Sequence, residues 1–197
     1  MNETTQNNHG AKAGVFRPSL AFYHANQRGT GSALRMTLHP AHDVTDGSIM
    51  ASFANQATVG GGHGQGRTFS TFDWENNVCV KLDFADLCRM LQVFRGECEM
   101  LEDGKGLYHR SPSGSVKIQL RHQLEPMPGY SFSVSKTMAD ASERKMSVFL
   151  TPWEALGLSE SIASSLGVIC FGIPMVIEHD TAAYRREAKE VRNGFAA

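Results

Sequence analysis

Two stretches of this chain bring positive charge and aromatic rings together with no carboxylate among them. From Thr4 to His42 there is no Asp or Glu, and Phe22, Tyr23, His24, Arg28 and Arg35 fall within that span. From Gly104 to Leu124 acids are again absent, and Tyr108, His109, Arg110, Lys117 and Arg121 stand together. Single-stranded nucleic acid offers unstacked bases, each with a π-face, along a charged backbone. Rings answer the bases at roughly 1–3 kcal/mol per stack, and Arg or Lys answers the phosphates. Tyr23, Trp74 and Tyr108 are the stacking candidates. Arg28, Arg35, Arg110, Lys117 and Arg121 are the phosphate candidates, whereas Phe22 and Phe132 suit a core.

The formal net charge of −1 argues against a polyanion partner. A polyanion, however, responds to the local field rather than the sum. The acids are segregated: Asp73 to Asp103 holds eight of them against Lys81, Arg89 and Arg95. The expectation is that the two acid-free stretches line a common groove on twisted sheets.

Patterns that would signal catalysis fall short on spacing. His39-x-x-His42-Asp43 lies where a strand breaks at Pro40, so no helix presents both imidazoles on one face for a metal. Gly60-Gly61-Gly62-His63-Gly64-Gln65-Gly66 lacks the Gly-Lys-Ser/Thr and following helix of a phosphate loop and reads as a flexible connection. Ser111-Pro112-Ser113-Gly114-Ser115 is a turn rather than a nucleophile elbow. No enzyme activity, cofactor or metal is expected.

The elements that must carry these residues are mostly strands. Ser19–His24 is an extended aromatic run. In Ser32–His39, Leu34, Met36 and Leu38 alternate with Arg35, Thr37 and His39, the period-two pattern of a half-buried strand. Ile49, Ala51 and Phe53 continue it, and Thr68–Trp74 and Asn77–Leu82 read as a further pair about a Glu75-Asn76 turn. Asp83 caps a helix bearing Phe84, Leu87, Leu91 and Phe94. The second half repeats the order. Glu97–Glu102 and Gly106–Arg110 read as short strands, followed by Val116–Arg121, Tyr130–Val134 and Lys145–Leu150. A second helix opens at Thr151 with Pro152 first, Glu154 closing a capping box, and an end at Phe171-Gly172. The fold class is thus α+β, two four-stranded antiparallel sheets with a helix after each (ββββα-ββββα), repeated in architecture and not in residues.

Several short motifs carry a resemblance. Arg28-Gly29-Thr30-Gly31-Ser32-Ala33-Leu34 looks like a loosened Lys-Gly-Lys-Ala-Ala-Leu, and Phe72-Asp73-Trp74 is similar to a Tyr-Asp-Trp that precedes an alternating strand and a helix. Val78–Leu82, the helix from Phe84 and Thr151–Gly172 follow in matching order. Over about residues 18–172 the chain resembles the Whirly family of single-stranded-DNA-binding proteins, and more distantly guide-RNA-binding proteins of the same fold. The resemblance implies packed four-stranded sheets braced by helices and a ring-like homo-tetramer. It also implies strands bound along sheet edges with little sequence preference. Only Arg28 matches a cation of the Lys-Gly-Lys motif, and the glycine-rich insertion and charged C-terminal stretch are not shared.

The resulting expectation is a non-catalytic binder of single-stranded DNA, with RNA the other candidate partner. The alternative is a β-rich oligomeric scaffold that ignores nucleic acid. No run approaches the roughly 18–20 apolar residues of a membrane span, and Met1–Gly14 lacks a signal peptide's apolar stretch. Cytoplasmic localisation in a bacterial or phage setting follows as an expectation. Cys79, Cys88, Cys98 and Cys170 form no C-x-x-C pair and read as reduced thiols, mostly core fillers. The expected boundaries are a disordered tail at 1–14, the binding domain at 15–174 and a charged tail at 175–197.

Overall fold

A computed structural model describes residues 19–42, 45–62, 66–111 and 114–172; both expected tails lie outside them. The order is β1 (Ser19–His24), β2 (Ser32–His39), β3 (Ser48–Thr58), β4 (Thr71–Phe72), β5 (Val78–Leu82) and α1 (Phe84–Phe94), then β6 (Leu107–Ser111), β7 (Gly114–Gln123), β8 (Gly129–Met138), β9 (Glu143–Leu150) and α2 (Pro152–Phe171). Strands β6 to β9 form an antiparallel meander. In the first sheet β1, β2 and β3 are adjacent, and one edge of β3 pairs with β5 over Ile49–Phe53 and with β4 at Gln56 and Thr58. Strands β4 and β5 are thus two pieces of one interrupted strand, and the sheet is four strands wide at either level.

Parity decides which residues face inward. Leu34, Phe53 and Val78 share one cross-strand row of the first sheet, and Leu120, Phe132 and Val148 share one of the second. All six are buried. Phe53 meets Phe132 edge to face at 4.9 Å between centroids, a geometry worth about 0.5–1.5 kcal/mol beyond the area buried. The faces bearing these rings look at each other, so the alternate residues of both sheets point outward.

Both helices begin with reciprocal capping boxes, Asp83 with Asp86 and Thr151 with Glu154. Each box satisfies two amides that the first turn leaves without partners. Helix α1 packs on α2 and β7, and α2 packs on β8 and β9. The last carbonyls of α2 accept from the β2–β3 connection, Ala41 N to Val168 O and Gly47 N to Ile169 O, both at 3.2 Å. A Cβ on Gly47 would sit 2.6 Å from that Ile169 oxygen, so the approach requires glycine.

The halves repeat in architecture, and at one pair of positions they also match in residues. Tyr23-His24 on β1 and Tyr108-His109 on β6 each turn the tyrosine outward and the histidine inward. His24 Nε2 lies 3.0 Å from Glu154 Oε1, and His109 Nε2 lies 3.1 Å from Asp86 Oδ2. Each first strand therefore clamps the capping carboxylate of the helix that follows the other half. A two-residue match separated by 85 positions is lost in the sequence; the shared partner type reveals it.

Two segments depart from expectation. Thr68–Trp74 is strand only at Thr71–Phe72, because Thr68 pairs back to Gly61 in a hairpin and Asp73–Asn77 loops out. Glu97–Glu102 is not a strand. Met100 makes one bridge to Arg121, but Glu102 and Asp103 then take left-handed φ of 48° and 52° in a 3-10 turn that ends the extension. Of the cysteines, Cys98 packs half-buried against the core, Cys79 and Cys88 are also half-buried, and Cys170 is exposed, so they fill the core less than expected. Helix α2 has the length and mean hydropathy to cross a bilayer, although Glu154, Ser159, Glu160 and Ser161 interrupt its apolar residues. Here Ala155, Leu158, Ile162 and Ile169 bury one side of it in the core, while Trp153, Leu156 and Phe171 are exposed.

Candidate nucleic-acid interface

The loop between β4 and β5 builds the first half of the site. Asp73 N continues the ladder to Asn55 O at 2.9 Å, after which Asp73 Oδ1 and Oδ2 accept from the Asn76 amide and side chain at 3.1 and 2.8 Å. These Asn76 bonds hold the Asp73 carboxyl below the usual carboxylate range. The acid of the Phe-Asp-Trp motif is therefore occupied in closing its own turn. An interruption of this kind re-aims a side chain, and here it delivers Trp74 to the outer face.

There Trp74 meets two expected partners. The Arg35 guanidinium lies 4.0 Å from the Trp74 ring centroid, a cation–π contact of about 0.5–2 kcal/mol depending on exposure. Arg35 lies in a cross-strand row with Ala21, Ser52 and Cys79, small neighbours that leave the guanidinium room to lie flat. Tyr23 stands edge-on to Trp74 at 6.3 Å and tilted against Phe72 at 5.4 Å. These rings border a groove of about 870 Å³, also lined by Gln27, the Gly60–Gly62 backbone, Arg67, Phe69 and Thr71. Among the described residues, no Asp or Glu lines it.

Gln56 ties the walls together. It is buried, and its Oε1 accepts from the amides of Asn26 and Gly31 at 2.9 and 3.1 Å. Its Nε2 donates to Asn26 O and Thr58 O, both at 3.0 Å. One side chain thus fixes the β1–β2 hairpin, which carries Gln27 and exposed Arg28, to the strand that carries the glycine-rich hairpin.

The second set lies elsewhere. Tyr108, Lys117, Ser135 and Lys145 form one outward row across β6 to β9, and Arg110, Ser115, Thr137 and Glu143 form the next. Arg121 faces the same way, beside Ser131. Among these rows the acid is Glu143, whose carboxyl is bonded by Ser135 and Lys145 and pulled below its ordinary range by them.

The structure therefore gathers Tyr23, Arg35 and Trp74 on the outer face of the first sheet, with Arg28 on the adjoining hairpin. It sets Tyr108, Arg110, Lys117 and Arg121 on the outer face of the second. Among the described residues of one chain, the two sets do not share the common groove expected from the sequence. Their separation follows from parity: pairing the Phe53 and Phe132 rows inward sends Arg35 and Arg121 to opposite sides of the sandwich. Phe69, Arg67, Gln27 and Gln56 were not foreseen, because the glycine run reads as featureless and only the folded hairpin brings them to Tyr23.

Two antiparallel sheets sharing one core, with a capped helix after each, define the fold as that of the Whirly proteins. No protein-family model and no curated protein matches the chain. Among solved structures it is similar to WHY1 from Arabidopsis thaliana, with TM-score 0.63 and 15% identity over 88% of this chain and 93% of that one. It is also similar to WHY3 from the same plant, with TM-score 0.60 and 16% identity over 86% and 98%. A guide-RNA-binding protein complex bound to its RNA has TM-score 0.54 and 18% identity over 77% of this chain and 91% of that one.

Proposed function

We propose that the chain is a non-catalytic binder of single-stranded nucleic acid, DNA in preference to RNA, with little overall sequence specificity. The observation that carries this is the groove lined by Tyr23, Phe72 and Trp74, with no acid among its described lining residues, and the Arg35 guanidinium held against the Trp74 ring at its border. Rings beside a guanidinium suit a base beside its phosphate. The cationic, hydroxyl-rich face bearing Tyr108, Arg110, Lys117 and Arg121 serves as a second contact surface for the phosphate chain. Because the two faces point apart, one strand reaches both by wrapping an edge or by passing between copies. The uncovered side of α2, with Trp153, Leu156 and Phe171, is the assembly surface in this reading. Assembly into a homo-tetramer, which the family resemblance implies, would bring the faces of neighbouring copies side by side.

Ultraviolet cross-linking of the chain to a single-stranded oligonucleotide, with peptide mapping, tests the site. Cross-links in peptides holding Tyr23, Phe69 and Trp74 are expected. Cross-links confined to α1 and α2 would overturn the assignment.

A further inference from the structure

The glycine-rich hairpin asks for an account of its own. Its two arms are tied rather than slack. Gly61 and Thr68 exchange backbone bonds at 3.2 and 2.8 Å, Gly60 N donates to Ser70 Oγ at 2.9 Å, and the Thr58 and Thr71 hydroxyls meet at 2.8 Å. A Cβ on Gly60 would fall 2.8 Å from both Ser70 N and Thr68 O, so the closeness of the arms depends on glycine. Such anchoring holds Phe69, which is 74% exposed, with the Arg67 guanidinium 5.2 Å from its ring centroid. A large ring held that far into solvent by a fixed arm is unexplained by the core. It lines the same groove as Tyr23, Phe72 and Trp74.

Resting on the reading of the chain as a single-strand binder, we infer that the Arg67–Phe69 arm turns this groove into a base-selective pocket. It encloses one unstacked nucleobase of the bound strand. The volume, about 870 Å³, lies in the range of roughly 300–1,000 Å³ typical of small-ligand sites. Four rings offer π-faces. Gln27 brings an exposed amide, with a donor and an acceptor and no partner among the described residues, of the kind that pairs with base edges. Arg67 stands beside Phe69 as Arg35 stands beside Trp74, so each ring has a cation near it for the adjoining phosphate. A grip that is sequence-tolerant along the sheets acquires one position where base identity matters.

The test uses the full chain and oligothymidylates carrying one central A, G, C or abasic residue, read by fluorescence anisotropy. The pocket predicts at least a fivefold spread among the three base substitutions in the wild type. It also predicts a loss of fivefold or more for the abasic strand. Q27A should flatten the spread, and F69A or R67A should remove both effects, while R35Q, outside the pocket lining, weakens every strand alike. Gln27, Arg67 and Phe69 are exposed, and unchanged melting temperatures will show that all the variants fold. Wild-type binding within twofold for all four strands, or F69A behaving as wild type, overturns the pocket and leaves single-strand binding standing. No binding of any single strand defeats the underlying reading instead. Free mononucleotides serve as the control for source: calorimetry should give millimolar affinity or weaker. Micromolar binding with no gain from flanking nucleotides would overturn the assignment to a strand.

Discussion

Replacing Trp74 by alanine removes a stacking ring and the support of Arg35 together, and the two losses can be separated. A base stacked on an aromatic ring contributes about 1–3 kcal/mol, which corresponds to a rise in Kd of roughly 5- to 150-fold. The Arg35 guanidinium, 4.0 Å from the ring centroid, keeps its charge in the variant, so its phosphate contact persists in a looser form. Arg35→Gln does the reverse: it removes one cation and leaves the ring. Each phosphate contact on a single strand contributes about −0.7 to the slope of log affinity against log salt. Trp74→Ala should therefore lower affinity at every salt concentration with little change in slope, while Arg35→Gln should make the slope shallower by about 0.7. Neither residue belongs to the buried core, so melting temperatures should hold. Anisotropy titrations of a labelled oligonucleotide at four or five salt concentrations read both quantities. Trp74→Ala within twofold of wild type, or a slope indifferent to Arg35, would refute the reasoning.

Three further outcomes follow from the framework. Phe132→Ala opens the junction between the sheets and should cost about 3–5 kcal/mol, a fall of roughly 6–20 °C in melting temperature by calorimetry for a chain of this size; a shift under 2 °C would contradict the Phe53–Phe132 core. Burial works to raise the Glu154 carboxyl, but the Thr151 hydroxyl and amide and the His24 ring outweigh it, so its pKa falls below the ordinary 4.5. Its stabilising contribution is complete above that value and is lost as pH drops through the folded pKa. Glu154→Gln keeps the box geometry, so urea midpoints of variant and wild type should differ at pH 6 and converge toward pH 3; a constant difference would count against the linkage. Trp153→Ser with Leu156→Ser should lower the assembled mass in light scattering without unfolding the protomer, and an unchanged mass would remove α2 as the assembly surface.

Local rules carried the sequence a long way. Strand β2 falls on the expected residues because its alternation is uninterrupted, β1 matches the extended aromatic run, and both helices start where Asp83 and Thr151 offer a side-chain acceptor to the first turn. What the sequence hid is non-local. Nothing in Glu97–Glu102 announces that Glu102 and Asp103 will adopt left-handed backbone, which glycine rather than acids usually supplies. Trp74 was named as a stacking residue, but its contact with Arg35 depends on the five-residue loop after Phe72. Phe69 and Gln27 reach one groove because Gln56, buried in β3, bonds the β1–β2 hairpin at Asn26 and its own strand at Thr58, where the glycine-rich hairpin departs. The separation of Arg35 from Arg121 was likewise invisible, since strand parity is set by which rings the two sheets choose to bury.

The central claim is that this chain prefers unpaired strands, and the measurement that bears on it most directly is competitive binding of wild-type protein at graded salt. A labelled single strand should stay bound against excess duplex of the same sequence, with a log–log salt slope near −4 if about six phosphates are engaged. Equal displacement by duplex, or affinity that ignores salt, would contradict the account.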